Sequence, residues 1–107
     1  MWFIFPQIAG LGSSAMAIHY AISSADEARA YLADPMLGER LREGVAAMLA
    51  HREKGAETVL GGIDALKFRS SLTLFEAVSD DPALFAEALD AFYEGARDER
   101  TLELLGR

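Results

Sequence analysis

Two Asp-Pro pairs, each followed by apolar residues at helical spacing, constrain the fold of this chain more than any other feature. Asp34-Pro35 and Asp81-Pro82 both place a capping carboxylate before a proline, which suits the first turn of a helix. The apolar residues that follow them are Leu37, Leu41, Val45 and Met48 in one case and Leu84, Phe85, Leu89, Phe92 and Tyr93 in the other. The pattern predicts two amphipathic helices, whose apolar faces need other helices to cover them.

Other residues typical of helix N-termini predict further helices. Ser24 and Glu27 form a capping box, in which each side chain is expected to satisfy the other's free amide. Another helix is predicted from about Ile63 to Val78, and Asp98 is predicted to cap a last short helix. We therefore expect a mainly α fold in a single domain over residues 1–107, a small irregular multihelical bundle of about five or six helices.

The N-terminal segment differs from the rest because it carries no charged side chain before Asp26. Trp2-Phe3-Ile4-Phe5, stopped by Pro6, predicts a short extended segment or strand. Ser13 or Ser14 is expected to cap a short helix that ends near Tyr20.

A signal peptide is not expected, although Ala15-Met16-Ala17 imitates a cleavage site. No positive charge precedes the apolar run, and Pro6 interrupts it. No apolar stretch reaches the roughly 18 residues that a membrane helix needs. We therefore predict a cytoplasmic protein, which agrees with the lack of cysteine.

Composition excludes several classes of function. The formal net charge of −7 argues against a protein that binds nucleic acid mainly through phosphates, and no membrane partner is expected. The absence of cysteine rules out disulfides and thiolate metal sites. His19 and His51 are the only histidines and form no ligand cluster by spacing, so we expect no metal and no cofactor.

The helix predicted near Ile63 carries the most informative polar pattern. On a helical wheel of about 100° per residue, its apolar side chains fall in one arc: Phe68, Leu72, Leu74, Phe75 and Val78. Lys67 and Ser71 lie inside that arc and Ser70 at its edge, while Arg69 and Thr73 are predicted to point away. Because a buried cation needs a partner or a water-lined pocket, Lys67, Ser70 and Ser71 are candidates for an anion site. The alternative is a structural lysine that reaches solvent or pairs with a carboxylate.

A glycine-rich loop supplies the second candidate feature. Gly10-Leu11-Gly12-Ser13-Ser14-Ala15 has the spacing of a dinucleotide-binding loop. A Rossmann sheet needs several strands, and the rest of the chain has the pattern of helices, so a turn that caps a helix is the simpler interpretation. Free amides at such a helix start can still hold an anion. We therefore add Trp2, Gly10, Gly12 and Ser13 to the predicted ligand site.

Motifs along the whole chain also share a pattern with a known family. They are Trp2-Phe3-Ile4-Phe5-Pro6-Gln7, Gly10-Leu11-Gly12, Tyr20-Ala21-Ile22, Glu27-Ala28-Arg29-Ala30-Tyr31-Leu32, Pro35-x-Leu37-Gly38, Leu66-Lys67-x-Arg69-Ser70-Ser71-x-Thr73-Leu74-Phe75 and Thr101-Leu102-x-Leu104-Leu105-Gly106. Together they resemble the bacterial domain-of-unknown-function family numbered 1810, whose members are sometimes mislabelled calpastatin. The resemblance implies a compact multihelical fold and no established activity.

The same resemblance implies that other members carry about thirty further residues ahead of this point, of the order of one helical segment with its turn. The chain is then expected to be a shortened member or one whose start is misassigned. Exposure of the uncharged N-terminal segment would favour a homo-oligomer.

Three functions follow as hypotheses. The first is binding of a phosphorylated or nucleotide-like small molecule between the N-terminal segment and Lys67. The second is an N-glycosidase-like enzyme acting on ADP-ribose or related nucleotides, because the helix around Lys67 and the C-terminal Leu-Leu-Gly distantly resemble that family. Its His-Tyr-Phe motif has no counterpart here, so no catalytic residue is assigned. The third is a non-catalytic protein-interaction module.

Overall fold

The computed structural model describes residues 5–11 and 21–106 and is helical through most of that range. The helices are α1 (Ala25–Ala33), α2 (Leu37–Leu49), α3 (Ala56–Leu60), α4 (Gly62–Val78), α5 (Ala83–Tyr93) and α6 (Glu99–Leu104). A 3₁₀ turn over Arg52–Lys54 follows α2. The mainly α, multihelical fold predicted from the sequence is confirmed.

Helix α4 is the centre of the structure, since α1, α3, α5 and α6 all pack against it. Its Phe68 and Phe75 are fully buried. The ring centroid of Phe68 lies 4.7 Å from that of Phe5, and Phe75 lies 6.1 Å from Phe85. Phe68 also contacts Phe92 of α5 at 5.9 Å, so aromatic contacts attach both the N-terminal segment and α5 to α4.

In the described part of the N-terminal segment, Phe5 and Ile8 are buried, while Ala9 and Gly10 are exposed turn residues. Phe5 and Ile8 are 5% and 4% exposed. Ile8 forms an isolated parallel bridge with Ile22, in which Ala9 N donates to Ile22 O at 2.7 Å and Ile22 N to Gln7 O at 2.8 Å. The predicted strand residues Trp2–Ile4 and the predicted helix ending near Tyr20 lie outside the described residues.

Of the predicted capping carboxylates, Asp98 is the N-cap of its helix, whereas α2 and α5 begin slightly later than predicted, with Met36 and Pro82 at their N-cap positions. Asp34 Oδ1 accepts hydrogen bonds from Met36 N at 2.9 Å and Leu37 N at 2.8 Å. Asp98 accepts from Thr101 N at 3.1 Å and caps α6. Asp81 lies 3.5 Å from Ala83 N, a longer and weaker contact at the start of α5.

The capping box at α1 forms only in part. Glu27 N donates to Ser24 Oγ at 3.1 Å as predicted. Glu27 Oε2, however, accepts from Ser23 N at 3.0 Å and from Ser23 Oγ rather than from the Ser24 amide. These two hydrogen bonds lower the pKa of Glu27, because they stabilise its charged form.

Two details of the predicted helical faces are wrong. Leu37 was expected in the apolar stripe of α2 but is 36% exposed, because it lies in the first turn, ahead of the packed part of the helix. The wheel for α4 assigned a solvent side to Arg69 and Thr73, yet six consecutive residues, 70–75, are buried. A helix with 3.6 residues per turn can bury such a run only when neighbours cover it on all sides.

Gly38 provides a test of the α1–α2 corner. A Cβ atom at this position would lie 2.2 Å from the backbone oxygen of Leu32, so the substitution Gly38→Ala forces the two helices apart. We expect it to lower the free energy of unfolding by about 1–3 kcal/mol, measured by urea denaturation.

Gly62→Ala is the matched control, since a Cβ there meets only Glu57 Oε1 at 3.7 Å. It should be neutral or slightly stabilising. Equal stability of the two variants would show that the close approach at Gly38 does not matter.

Candidate functional site

Ser71, in the middle of α4, is the polar side chain that the fold does not explain. It is fully buried, and Ser71 Oγ is the only buried side-chain nitrogen or oxygen without a hydrogen bond among the described residues. Buried serines in helices commonly bond the carbonyl four residues earlier. An unsatisfied buried hydroxyl costs about 1–3 kcal/mol. Packing in the described part of the chain therefore gives no reason for a serine at this position.

The neighbouring hydroxyls on α4 are satisfied, which sets Ser71 apart. Ser70 Oγ lies 3.1 Å from Leu66 O, and Thr73 Oγ1 donates to Arg69 O at 2.8 Å. Both follow the back-bonding pattern that Ser71 lacks.

Lys67 lies one helical turn before Ser71 and on the same face of α4. Lys67 is intermediate in burial. Together the two residues present a positive charge and a buried hydroxyl on one side of the central helix. That pair is suited to an anionic oxygen.

Ser70 belongs to a different cluster, which joins α4 to α6. Its Oγ lies 3.2 Å from Asp98 Oδ2, the oxygen that also accepts from Thr101 N and Thr101 Oγ1. Because one carboxylate oxygen is shared by a helix cap and by the α4 contact, Asp98 and Ser70 fix the position of α6. This contact gives Ser70 a structural role, and its predicted role as a ligand residue stays a prediction.

The opposite side of α4 holds the segment that leads into α6. Arg69 donates from Nε to Ala96 O and from Nη2 to Arg97 O, both at 2.8 Å. Thr73 Oγ1 accepts from Asp98 N at 2.9 Å. These contacts explain why Arg69 and Thr73 do not point to solvent.

Arg97 anchors the same segment through a two-pronged ion pair with Glu76 on α4. Its Nε donates to Glu76 Oε1 at 2.9 Å and its Nη2 to Glu76 Oε2. The hydrogen bonds raise the pKa of the Arg97 guanidinium by stabilising its charged form. The guanidinium is therefore a structural clamp.

The remaining predicted ligand residues lie in the N-terminal segment. Trp2, Gly12 and Ser13 fall outside the described residues. Gly10 is exposed and has a positive φ of 103°, which favours glycine. A Cβ there would lie 3.2 Å from Leu104 Cδ2, so Gly10 contacts the end of α6, which packs on α4.

A cleft of about 340 Å³ borders the start of α4 and was not predicted. Its lining residues include Phe92 and Tyr93 of α5 and Leu66 of α4. Tyr93 donates its hydroxyl proton to Ala65 O, and burial raises the pKa of its phenol well above the usual value. Tyr93 is therefore a neutral hydrogen-bond donor that holds α5 on α4.

Neither a metal cluster nor a membrane span is present in the part of the chain that the structure describes. No group of three or more His, Asp or Glu side chains comes together there. No helix among residues 5–11 and 21–106 is both long and apolar enough to cross a bilayer.

Within residues 5–11 and 21–106, the helices and the polar clusters on α4 define a small, mainly helical protein in which the Ser71 hydroxyl lacks a partner. The family described as "Protein of unknown function (DUF1810)" matches residues 1–105, and the chain belongs to that family. This confirms the resemblance found in the motifs.

A solved structure extends the comparison. The chain is 42% identical to the conserved hypothetical protein Rv1873 from Mycobacterium tuberculosis, with a TM-score of 0.96. The similarity covers 99% of this chain and 76% of that one. A comparison with curated proteins found no match.

Substitution of the adjacent serines 70 and 71 by alanine should have different effects on the free energy of unfolding. Ser70→Ala removes a hydrogen bond to a carboxylate and should lower the free energy of unfolding by about 1–3 kcal/mol. Ser71→Ala removes an unsatisfied hydroxyl and should leave stability unchanged or raise it by about 1 kcal/mol. Urea denaturation of both variants measures the difference.

The pair serves as its own control, because the two substitutions remove the same atom from neighbouring positions. A loss at Ser71→Ala as large as that at Ser70→Ala would mean that the Ser71 hydroxyl has a structural partner after all.

Proposed function

We propose that this protein binds a small phosphorylated or nucleotide-like molecule through Lys67 and Ser71 on α4. The observation that carries the proposal is the fully buried Ser71 hydroxyl, which has no hydrogen-bond partner in the described part of the chain. A ligand oxygen would supply that partner, and the Lys67 ammonium would supply the charge.

The neighbouring polar side chains of the same motif set Ser71 apart. Arg69, Ser70 and Thr73 each have a structural partner in the α4–α6 clusters described above. The Ser71 hydroxyl has none among the described residues, and Lys67 supplies a positive charge four residues earlier. Lys67 and Ser71 lie on one face, one helical turn apart.

The burial of Ser71 limits how a ligand can reach its hydroxyl. Its side chain has no exposed surface, so the anionic group reaches the hydroxyl only when the packing over this face opens. Binding is then coupled to a local rearrangement, and its association rate lies below that of a preformed pocket. A cytoplasmic location, expected from the sequence, stays a prediction.

Binding is favoured over glycosidic hydrolysis by the state of the carboxylate that contacts Ser70. Asp98 is the acid beside Ser70, but its Oδ2 accepts hydrogen bonds from Thr101 and contacts Ser70. An acid–base catalyst needs an oxygen directed at the reacting atoms. Asp98 is placed instead as a helix cap.

A protein-interaction module is the second candidate, because apolar side chains are exposed near the start of α4. Ile63 is 72% exposed, Leu66 64% and Val59 40%. A group of this kind is typical of a contact surface. Self-association through the uncharged N-terminal segment stays a prediction.

Thermal unfolding with and without ligands tests the proposed function. The panel contains ADP-ribose, NAD, sugar phosphates and inorganic phosphate. A ligand at a hundred times its dissociation constant adds about 2.7 kcal/mol of stability, and a domain of this size shifts by roughly 4–8 °C per kcal/mol. We expect at least one phosphorylated compound to raise the melting temperature.

Variants decide whether the effect arises at α4. Lys67→Ala and Ser71→Ala should both remove the shift, while Lys54→Ala, which truncates an exposed lysine, should retain it. A shift that survives Lys67→Ala would contradict the proposal. A cooperative transition that no compound moves would favour the interaction module.

A further inference from the structure

A second cleft, of about 520 Å³, lies between α1, α2 and the turn that joins α4 to α5. Its volume falls within the roughly 300–1,000 Å³ of small-molecule sites. None of the residues proposed to bind a phosphorylated ligand lines it. Whatever it binds is therefore independent of the α4 face.

One side of this cleft is basic. Arg29 comes from α1 and Arg42 from α2. Arg29 pairs with Asp26 at 2.8 Å. Arg42 Nη1 lies 3.4 Å from Leu32 O, and Arg42 forms no ion pair within the described part of the chain. A guanidinium has five N–H donors in a planar fork, so Arg42 retains donors for a carboxylate.

The other side is acidic, with Asp80 and Asp81 in the turn after α4. One carboxylate oxygen of Asp81, Oδ1, lies 3.5 Å from Ala83 N. The backbone amide of Asp81 donates to Ser79 Oγ at 3.1 Å. Neither carboxylate is paired with a cation among residues 5–11 and 21–106. Charges of opposite sign thus line the same cleft without bridging it.

Apolar side chains complete the lining of the cleft. Leu32, Val78 and Phe85 are buried and line the cleft only with the small part of their side chains that is accessible. Leu84 is half-buried. An apolar group on this surface would lose contact with water, which stabilises binding in proportion to the area covered. A ligand for this cleft therefore combines two opposite charges with an apolar body.

We propose that the cleft binds a small zwitterion, an α-amino acid with an apolar side chain. Its carboxylate is held by the Arg42 guanidinium and its ammonium by Asp80, while its side chain packs on Leu84 and Phe85. Phosphates and nucleotides are disfavoured, because Asp80 and Asp81 repel a group of high negative charge.

Titration of the ¹⁵N-labelled protein with L-leucine, followed by backbone amide resonances, tests the proposal. Amide shifts should concentrate at Arg42, Asp80 and Leu84 and saturate in the millimolar range or below. 4-Methylvalerate lacks the ammonium and isoamylamine lacks the carboxylate, so each should bind at least about tenfold more weakly, the loss expected when one charge partner is missing.

The variants Arg42→Gln and Asp80→Asn should each weaken leucine binding by a similar factor. Arg100→Gln, which removes an exposed arginine paired with Glu103 on α6, is the control and should bind like the parent. Asp80→Asn keeps the test valid if Arg42→Gln perturbs the α1–α2 corner. Absence of saturable shifts, equal binding of 4-methylvalerate, or unchanged binding by Asp80→Asn would each overturn the proposal. Loss of leucine binding in Lys67→Ala would also do so, since that residue belongs to the other site.

Discussion

The burial of the consecutive residues 70–75 of α4 is the constraint on which the rest of the structure depends. Because residues 70–75 are all buried, no polar side chain in this stretch can rely on water. Ser70 and Thr73 meet this requirement through Asp98, and Arg69 meets it through the carbonyls of residues 96 and 97. The position of α6 therefore follows from the polar groups of α4 as much as from apolar packing.

The same burial is the reason that the unpaired Ser71 hydroxyl is informative. In a helix with a solvent side, an unpaired hydroxyl would be hydrated and would indicate nothing. Here it is fully enclosed, and its neighbours show that the local backbone supplies partners where they are needed. The proposed role of Ser71 in binding rests on this contrast with its neighbours, and the same proposal assigns the complementary charge to Lys67.

Local signals predicted the parts of the fold that local chemistry determines. Asp34 and Asp98 accept amide hydrogen bonds at the starts of helices, as their spacing indicated, because a cap depends on residues three positions away. The side of α4 that holds Arg69 was mispredicted, since a helical wheel assumes one buried face and cannot show that α6 covers another. Of the site, the Lys67–Ser71 pair was visible as an interruption of an apolar arc. The contact of Ser70 with Asp98 and the cleft at Arg42 were not visible, because both join residues far apart in sequence.

A phosphorus NMR titration tests the central claim most directly, because it observes the ligand's anionic group itself. The account predicts that a phosphorus resonance of at least one compound among ADP-ribose, sugar phosphates and inorganic phosphate broadens or shifts when the protein is added. That change should disappear with the folded Ser71→Ala variant and persist with Lys54→Ala. A change of equal size with Ser71→Ala would show that the buried hydroxyl does not contact the ligand and would contradict the account.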